Sequence, residues 1–564
     1  MGFLTPTPPP VDVEEWKKLP HLERIKPLAQ DWAINGFGTP TAIYLLYIVK
    51  LVVFTVGGFL VISATTPGLG GLGDVGDWWT QPIVFQKLVV WLLLWEILGL
   101  GCGSMPLTFR FSPMIGGIIY WLRPGTVRLP PWPDHVPLTR GSTRTIADAL
   151  LYAGVLVAAV VLLLADSFED APILVLLGLL ALLGLRDKVA FLAARPEIYA
   201  PFLVIFLFPA SNFIVAAQIV FLCIWLGAAA SKLNRHFPYV VSVMISNTPW
   251  NRSRKAKAML YESHPDDLRP SRYASFAAHT GTVIEFALPI LLFVTSKGPL
   301  GTFAVIGMII FHVHITSTFP LAVPLEWNLF MIFGILFLFG HYGDVPLSTL
   351  DDPLLIALLI CTSVLIPIAG NFRPDKFSFL PAMRYYAGNW ATSQWLFRKE
   401  TGAEEKLDAS IKKPAKVVVE QLTDFYDRDT AELLLAKGLA FRSMHSHGRA
   451  LNGLTARAVE DIEAYHVREG ELIAGVVNGW NFGDGHLHNL QLIEAVQERC
   501  TFEEGDLRVV CLESQPAHVQ RQHYRIYDAA TGLVEEGHVE VADFRSRQPW
   551  LDGGTYPVLP LSPR

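Results

Sequence analysis

Charge is what this sequence has least of. Asp, Glu, Lys and Arg make up 17% of its 564 residues, against roughly 25% in soluble domains. With 51% apolar residues and a mean hydropathy of +0.37, that shortage excludes a wholly soluble protein. The net charge is only −6, so there is no basic footprint and no nucleic-acid partner is expected. The five cysteines (Cys102, Cys223, Cys361, Cys500 and Cys511) are scattered without a CxxC pair, which argues against a disulfide framework or a thiolate metal site. A cleavable signal peptide is also missing. The first 40 residues are Pro-rich over Thr5–Val11 and polar over Glu14–Asp31, without a short apolar core or a small-residue cleavage site.

What is present is a set of long apolar runs between Thr41 and Gly370, followed from Arg373 by ordinary mixed composition. The expected class is mainly α, a polytopic helical membrane bundle of about 8–10 transmembrane helices with a C-terminal soluble α+β domain. Candidate spans are Thr41–Ala64, Pro82–Cys102, Ile146–Ala165, Ala171–Leu185, Ile198–Pro209, Phe213–Ser231, Phe276–Thr295, Leu300–Phe319, Leu325–Phe339 and Pro353–Ile368. Ile198–Ser231 reads either as two short tilted helices broken at Pro209-Ala-Ser-Asn212 or as one helix with a re-entrant piece. Residues 1–40 form an amphipathic segment, since Trp16, Leu19, Leu22, Ile25 and Leu28 recur at helical spacing. That helix lies on the membrane surface or packs on the protein itself. Residues 41–372 are the membrane domain, 373–413 a helical connector, and 414–564 the soluble domain. In that last part Val417–Lys437 and Thr455–Tyr465 read as helical. Asn489–Gln497, Leu507–Glu513, Val519–Tyr527 and Gly532–Asp543 alternate, with a hairpin turn at Asp528–Gly532.

Loop charges set an orientation. Lys17–Lys26, Arg110–Arg144, Arg186–Arg195, Arg252–Arg272 and Arg373–Arg384 are basic. The intervening loops carry Asp74 and Asp77, then Asp166, Glu169 and Asp170, then Asp344, Asp351 and Asp352, with Lys297 the one misplaced cation. Ten crossings with both termini in the cytosol fit this alternation, in a multi-pass protein of the inner (plasma) membrane. The loop Pro106–Arg144, with RPGTVRLPPWPDHVP and Trp121 and Trp132, reads as an interfacial anchor or as a lid contacting an anionic lipid headgroup.

Ionisable residues at membrane depth need a partner, a wet cavity or a function. Lys232 closes an apolar run in IWLGAAASKLNRHFPY and is followed by Asn234 and His236. On one helix Lys232 and His236 share a face. Lys232 either snorkels to the interface or faces a dry cavity that makes it a usable base. AHTGTVIEFALP supplies His279 and Glu285, about 120° apart on a helix, and Glu285 at mid-span requires a cation such as Lys232 or a histidine. FHVHITSTFP supplies His312 and His314, which point apart on a continuous helix. Glu326, between Pro324 and an apolar run, either faces water or adds a second acid. The clusters of a histidine-box iron enzyme do not occur. The soluble tail has His445/His447 and His486/His488 but no Walker motif or nucleophile elbow, so no metal is expected there.

These residues resemble the membrane domain of the vitamin K-dependent γ-carboxylases and, more widely, the horizontally transferred transmembrane (HTTM) proteins. The matching features are Ala230-Ser-Lys-Leu-Asn234, then His279-Thr-Gly281 with Glu285, then Phe311-His312, spread over about 200–341. The remainder looks like an actinobacterial family of transmembrane proteins. The resemblance implies an intramembrane cavity in which Lys232 is the base, with His279 and His312 in support, and a reduced quinone as cofactor. A single lysine stands here where the carboxylases have two adjacent ones, which shifts the expectation from protein carboxylation to quinone or lipid chemistry.

The expected function is therefore binding of a quinone or an isoprenoid or acyl lipid in an intramembrane cavity, with membrane oxidoreductase or carboxylase-like lyase chemistry. Lys232, His279, Glu285 and His312 would be catalytic, and His236, His314 and Asn234 would contact the cofactor. Membrane lipid, a quinone, and a cytosolic or membrane protein docked through 414–564 are the expected partners. The alternative is a non-enzymatic lipid-handling or scaffold subunit of a cell-envelope assembly, in which Lys232 and Glu285 are a structural pair. A transporter ranks third, because Pro209–Asn212 lacks a matching break in a second half.

Overall fold

The computed structural model describes residues 3, 9–103, 117–295, 297–318, 324–413, 415–550 and 555–561. Among these, six helices are long and apolar enough to cross a membrane: Thr41–Ala64, Ile146–Leu164, Ala210–Ser231, Arg272–Thr295, Pro299–Thr318 and Pro353–Phe372. The other four expected spans are helical but short, at Pro82–Ile97, Asp170–Arg186, Pro196–Ile205 and Leu325–His341. The 10 residues of Pro196–Ile205 rise about 15 Å, half of a hydrocarbon core. The expectation of ten full crossings thus reduces to six helices of spanning length. Ile198–Ser231 is two helices separated at Pro209.

Helix starts follow the local chemistry. Thr145 and Asp148 cap Ile146–Leu164 reciprocally, the Asp148 amide donating to Thr145 Oγ1 (3.3 Å) and the Thr145 amide to Asp148 Oδ2 (2.7 Å). Asp352 accepts from the Leu354 and Leu355 amides beside a Pro at the first helical position. Outward faces are apolar, with Val157, Leu164, Val283, Val294, Phe303 and Ile310 exposed. That inverts the soluble pattern, as a lipid environment requires.

A small antiparallel ribbon, β1 (Tyr261–Ser263) and β2 (Asp267–Pro270), lies in the loop before the Arg272–Thr295 helix. The C-terminal part of the chain carries strands β3 (Thr392–Arg398), β4 (Tyr465–Glu469), β5 (Leu507–Leu512), β6 (Arg521–Asp528), β7 (Gly532–Glu540) and β8 (Leu559–Pro560). They form a six-stranded antiparallel sheet in the order β4-β3-β5-β6-β7-β8. The expected helical connector is corrected here. β3 falls inside 373–413 and is an interior strand, with Trp395 opposite Arg468 on one side and Val509 on the other. It is buried on both faces, so it shows no alternation, and a short apolar run cannot be told from a buried helix by periodicity. Asn489–Gln497 is likewise not a strand but helix Leu490–Cys500, burying Leu492, Ile493 and Val496. The β6–β7 hairpin turns at Gly532 (φ +91°) as the sequence indicates, with Asp528 opposite Gly532.

The C-terminal sheet region sits against the basic segments of the bundle, and each segment touches it. Arg24 pairs with Glu463 (3.0 Å) and Arg499 donates to the Ser142 carbonyl (3.1 Å). Lys188 donates to the His486 carbonyl (3.2 Å), Gln548 to Asp267 (2.8 Å), and Arg384 to the Gln515 carbonyl (3.3 Å). The N-terminal helix His21–Asn35 packs its apolar face on the protein. Trp32 is buried and donates to the Val243 carbonyl (3.2 Å), and Asp31 pairs with buried Lys437 (2.7 Å). Residues 104–116 of the proline-rich loop lie outside the described residues. In the rest, Arg128 is buried and donates to the carbonyls of Arg186, Arg140 and Gly141 (2.9, 2.7 and 2.9 Å), while Arg144 pairs with Asp187. These arginines fasten the loop and are not left free for lipid phosphate.

Candidate functional site

The Ala210–Ser231 helix ends at Lys232, and Asn234 is the reason the chain can turn there. Its amide nitrogen donates to the Ser231 carbonyl (2.7 Å) and the Ala387 carbonyl (2.9 Å), satisfying acceptors at the helix end. Its Oδ1 accepts from the His236 and Phe237 amides (2.7 and 3.0 Å), capping the Phe237–Asn247 helix. Lys232 and His236 therefore do not share a helix face, because one helix ends and another begins between them.

Lys232 does not snorkel. Only 7% of it is exposed, and its Nζ donates to Glu285 Oε1 and Oε2, both at 2.6 Å. Glu285 is buried at the centre of the Arg272–Thr295 helix. The pair borders a cavity of about 200 Å³ lined by Ala228, Val240, Met244, Gly281, Phe311 and Ile315. A Cβ added at Gly281 meets nothing within 4 Å, so that glycine faces open space.

His312 lines the same cavity and is fully committed. Trp225 Nε1 donates to its Nε2 (3.0 Å), and its Nδ1 lies 2.8 Å from Asn328 Oδ1. Asn328 Nδ2 donates to the Pro324 carbonyl (2.8 Å), which fixes the amide so that Oδ1 accepts. The ring is therefore a neutral Nδ1–H tautomer. It can position Trp225, but it relays a proton only by breaking one of these bonds. His314 also lines the cavity, on an exposed edge beside Trp250 (rings 6.0 Å apart).

His279, His236 and Asn234 are not brought to the cavity. His279 is exposed on the outer face of its helix, with Phe276 and Val283. His236 joins the two halves of the protein, with Nδ1 2.7 Å from Ser446 Oγ and Nε2 accepting from Gln515 Nε2 at 2.7 Å. Burial, with Arg545 and Arg384 nearby, pushes its pKa down to about 3.

Three cavity residues escaped the sequence reading. Arg195 is buried, with its guanidinium 5.6–5.7 Å from the ring centres of Trp327, Tyr385 and Phe482 and its Nε donating to Glu197 (2.6 Å). It stands at φ +52° immediately before Pro196, a conformation L residues rarely adopt, and such strain often marks functional sites. Trp327 lines the cavity with a buried indole N–H that has no partner among the described residues. Tyr385 completes the aromatic wall around Arg195. No spacing announced these residues, because they meet only through the fold.

A second buried pair was legible and missed. Glu326 does not face water; it is fully buried, 2.9 Å from Lys50 Nζ, and accepts from Trp95 Nε1 (3.2 Å). Lys50 in the middle of an apolar run was the signal. In the C-terminal region, His445 and His447 pack with Trp390, and His488 Nδ1 lies 2.5 Å from Ser393 Oγ. Among the described residues no group of three or more His, Cys, Asp or Glu is placed to hold a metal ion.

The arrangement can bind an apolar body and offer hydrogen-bond donors to its polar head, with a proton held between Lys232 and Glu285. No curated protein and no solved structure matches this chain, so the likeness to γ-carboxylases and HTTM proteins rests on the short motifs alone. The sequence profile of the DUF3556 family, transmembrane proteins of unknown function, matches residues 1–560, and the chain belongs to that family.

Proposed function

We propose that this protein holds a membrane-soluble molecule with a polar head, a quinone or an isoprenoid or acyl lipid, in the cavity beside Lys232. The supporting observation is the Lys232–Glu285 pair set in an otherwise apolar wall. Burying two charges costs more than a hydrophobic pair would, which favours a use for them. Arg195 and the Trp327 N–H add donors suited to a carbonyl or other acceptor head. A bound quinone would supply two-electron redox chemistry. The chain's own residues exclude water, orient the head and hold the shared proton between Nζ and a carboxylate oxygen. A proton taken by Glu285 leaves Lys232 as a neutral amine, the form that acts as a base. His312 serves as a positioning residue through Trp225, and His314 lines an exposed edge of the cavity.

The clustering of the basic segments with the soluble domain favours a multi-pass plasma-membrane protein with both ends cytosolic. Residues 414–564 would then dock a cytosolic or membrane partner. The scaffold reading is favoured by a different observation. Lys232 and Glu285 saturate one another, as ion pairs that fasten helices do.

The test is mass spectrometry of small molecules that co-purify in mild detergent with wild type and Lys232→Ala. A quinone or a specific lipid present in wild type and lost in the variant supports the cavity reading. Bulk phospholipid alone in both overturns it in favour of the scaffold.

A further inference from the structure

A second cavity, of about 570 Å³, lies outside the membrane bundle where the sheet meets the loops between spans. Its size is that of a small-molecule site. The sheet contributes Thr392 at the start of β3 and Arg525 on β6, and the membrane side contributes Lys188 and Lys376. Leu490, Leu512 and Tyr527 add an apolar wall.

The charges around this cleft are unequal. Glu513 is matched by His486, whose Nε2 lies 2.8 Å from Glu513 Oε1 and whose Nδ1 lies 3.3 Å from Asp484. Asp375 is held by Arg373 through bonds of 3.0 and 2.8 Å. Glu494 is the remaining acid on the lining. Against it stand Lys376, 4.0 Å from Asp375, Arg525, whose Nε lies 3.4 Å from Glu536 on the neighbouring strand, and Lys188. The Lys188 ammonium makes one 3.2 Å bond, to the His486 carbonyl, and no carboxylate lies within ion-pair distance of it among the described residues. An ammonium has three donors, so two remain for a ligand. An ammonium with two unused donors at the edge of a polar cleft is suited to an anion.

We propose that this cleft binds a phosphate ester, with Lys188 and Arg525 holding the phosphate oxygens and the apolar wall taking the organic part. A multi-oxygen anion satisfies several donors at once, and Arg and Lys both favour phosphate. The cleft borders the interspan loops, so the ester is either a water-soluble metabolite or the head of a membrane lipid.

Both sources are tested on the full-length protein. Glycerol 3-phosphate is titrated by calorimetry in detergent, and retention of phosphatidic acid from doped phosphatidylcholine nanodiscs is read by native mass spectrometry. Wild type is expected to bind one of them, and Lys188→Gln and Arg525→Gln to weaken binding about tenfold or more, the loss of one charge-assisted hydrogen bond. Binding of glycerol 3-phosphate identifies the soluble source; retention of phosphatidic acid alone identifies the lipid. Lys376→Gln, at a side chain 67% exposed, gives a variant that keeps the fold and is expected to bind several-fold more weakly. Lys297→Gln, paired with Asp344 away from the cleft, is expected to leave binding unchanged. Failure of wild type to bind either probe, or equal binding by the cleft variants, overturns the proposal.

Discussion

Lys232 reaches from the end of one membrane helix to the middle of another and holds both carboxylate oxygens of Glu285, each at 2.6 Å. Neither side chain has water to fall back on. Each therefore depends on the other for its charge, and the two should fail together.

Removing one partner leaves the other charge buried and uncompensated, at a cost of about 3–5 kcal/mol. Lys232→Met or Glu285→Leu alone should lower the thermal unfolding midpoint sharply in detergent. The double variant should recover most of the loss. Additive losses in the double variant would show that the two residues do not act as a pair.

Gly281 offers a cleaner probe of the cavity, since a side chain there meets open space. Gly281→Leu also removes a helical glycine, worth about 1 kcal/mol of stability. The variant should fold at least as well as wild type and lose any co-purifying apolar molecule. Retention of that molecule would place its site elsewhere.

Trp327→Phe keeps the ring against Arg195 and removes only the unpartnered N–H. A hydrogen bond to a ligand head contributes about 1 kcal/mol net. Ligand retention should fall about fivefold in a competition assay, with the unfolding midpoint unchanged.

The C-terminal region and its junction with the bundle should be acid-labile. Burial pushes His236, His445 and His488 down to about 3 and His447 well below its ordinary value. These groups stay neutral when folded and bind protons near pH 6.5 when unfolded. The unfolded state therefore gains protons as pH falls below 6.5, and stability is lost through that window. His486 has the opposite sign. Burial opposes its charge, but Glu513 and the bonds to Asp484 and Glu513 outweigh burial and lift it to about 10. Its contribution is complete below pH 6.5 and is lost as pH rises toward 10. Unfolding midpoints against pH should therefore peak near neutrality. His486→Gln should flatten the alkaline limb and leave the acid limb in place.

Much of the bundle was legible because lipid imposes one rule, long apolar runs with charges at their ends. The ten runs were found, but their lengths as helices were not, because Pro209 and the short Pro196–Ile205 segment depend on what covers them. Lys232 and Glu285 were both readable as costly residues in need of partners. Their actual pairing was one choice among several, and only the fold selected it. Arg195 and Trp327 gave no pattern, because a cavity wall drawn from separate helices leaves no spacing behind. β3 was read as connector because a strand buried on both faces loses the alternation that identifies strands.

The Lys50–Glu326 pair has a consequence for how the chain is made. Lys50 enters the bilayer with the first spanning helix, and its carboxylate is translated only after most of the membrane domain has emerged. A lone lysine at mid-helix costs about 3 kcal/mol to insert. During synthesis the Lys50–Glu326 contact therefore closes only once Glu326 has been made, and the first spanning helix reaches its final packing late in translation.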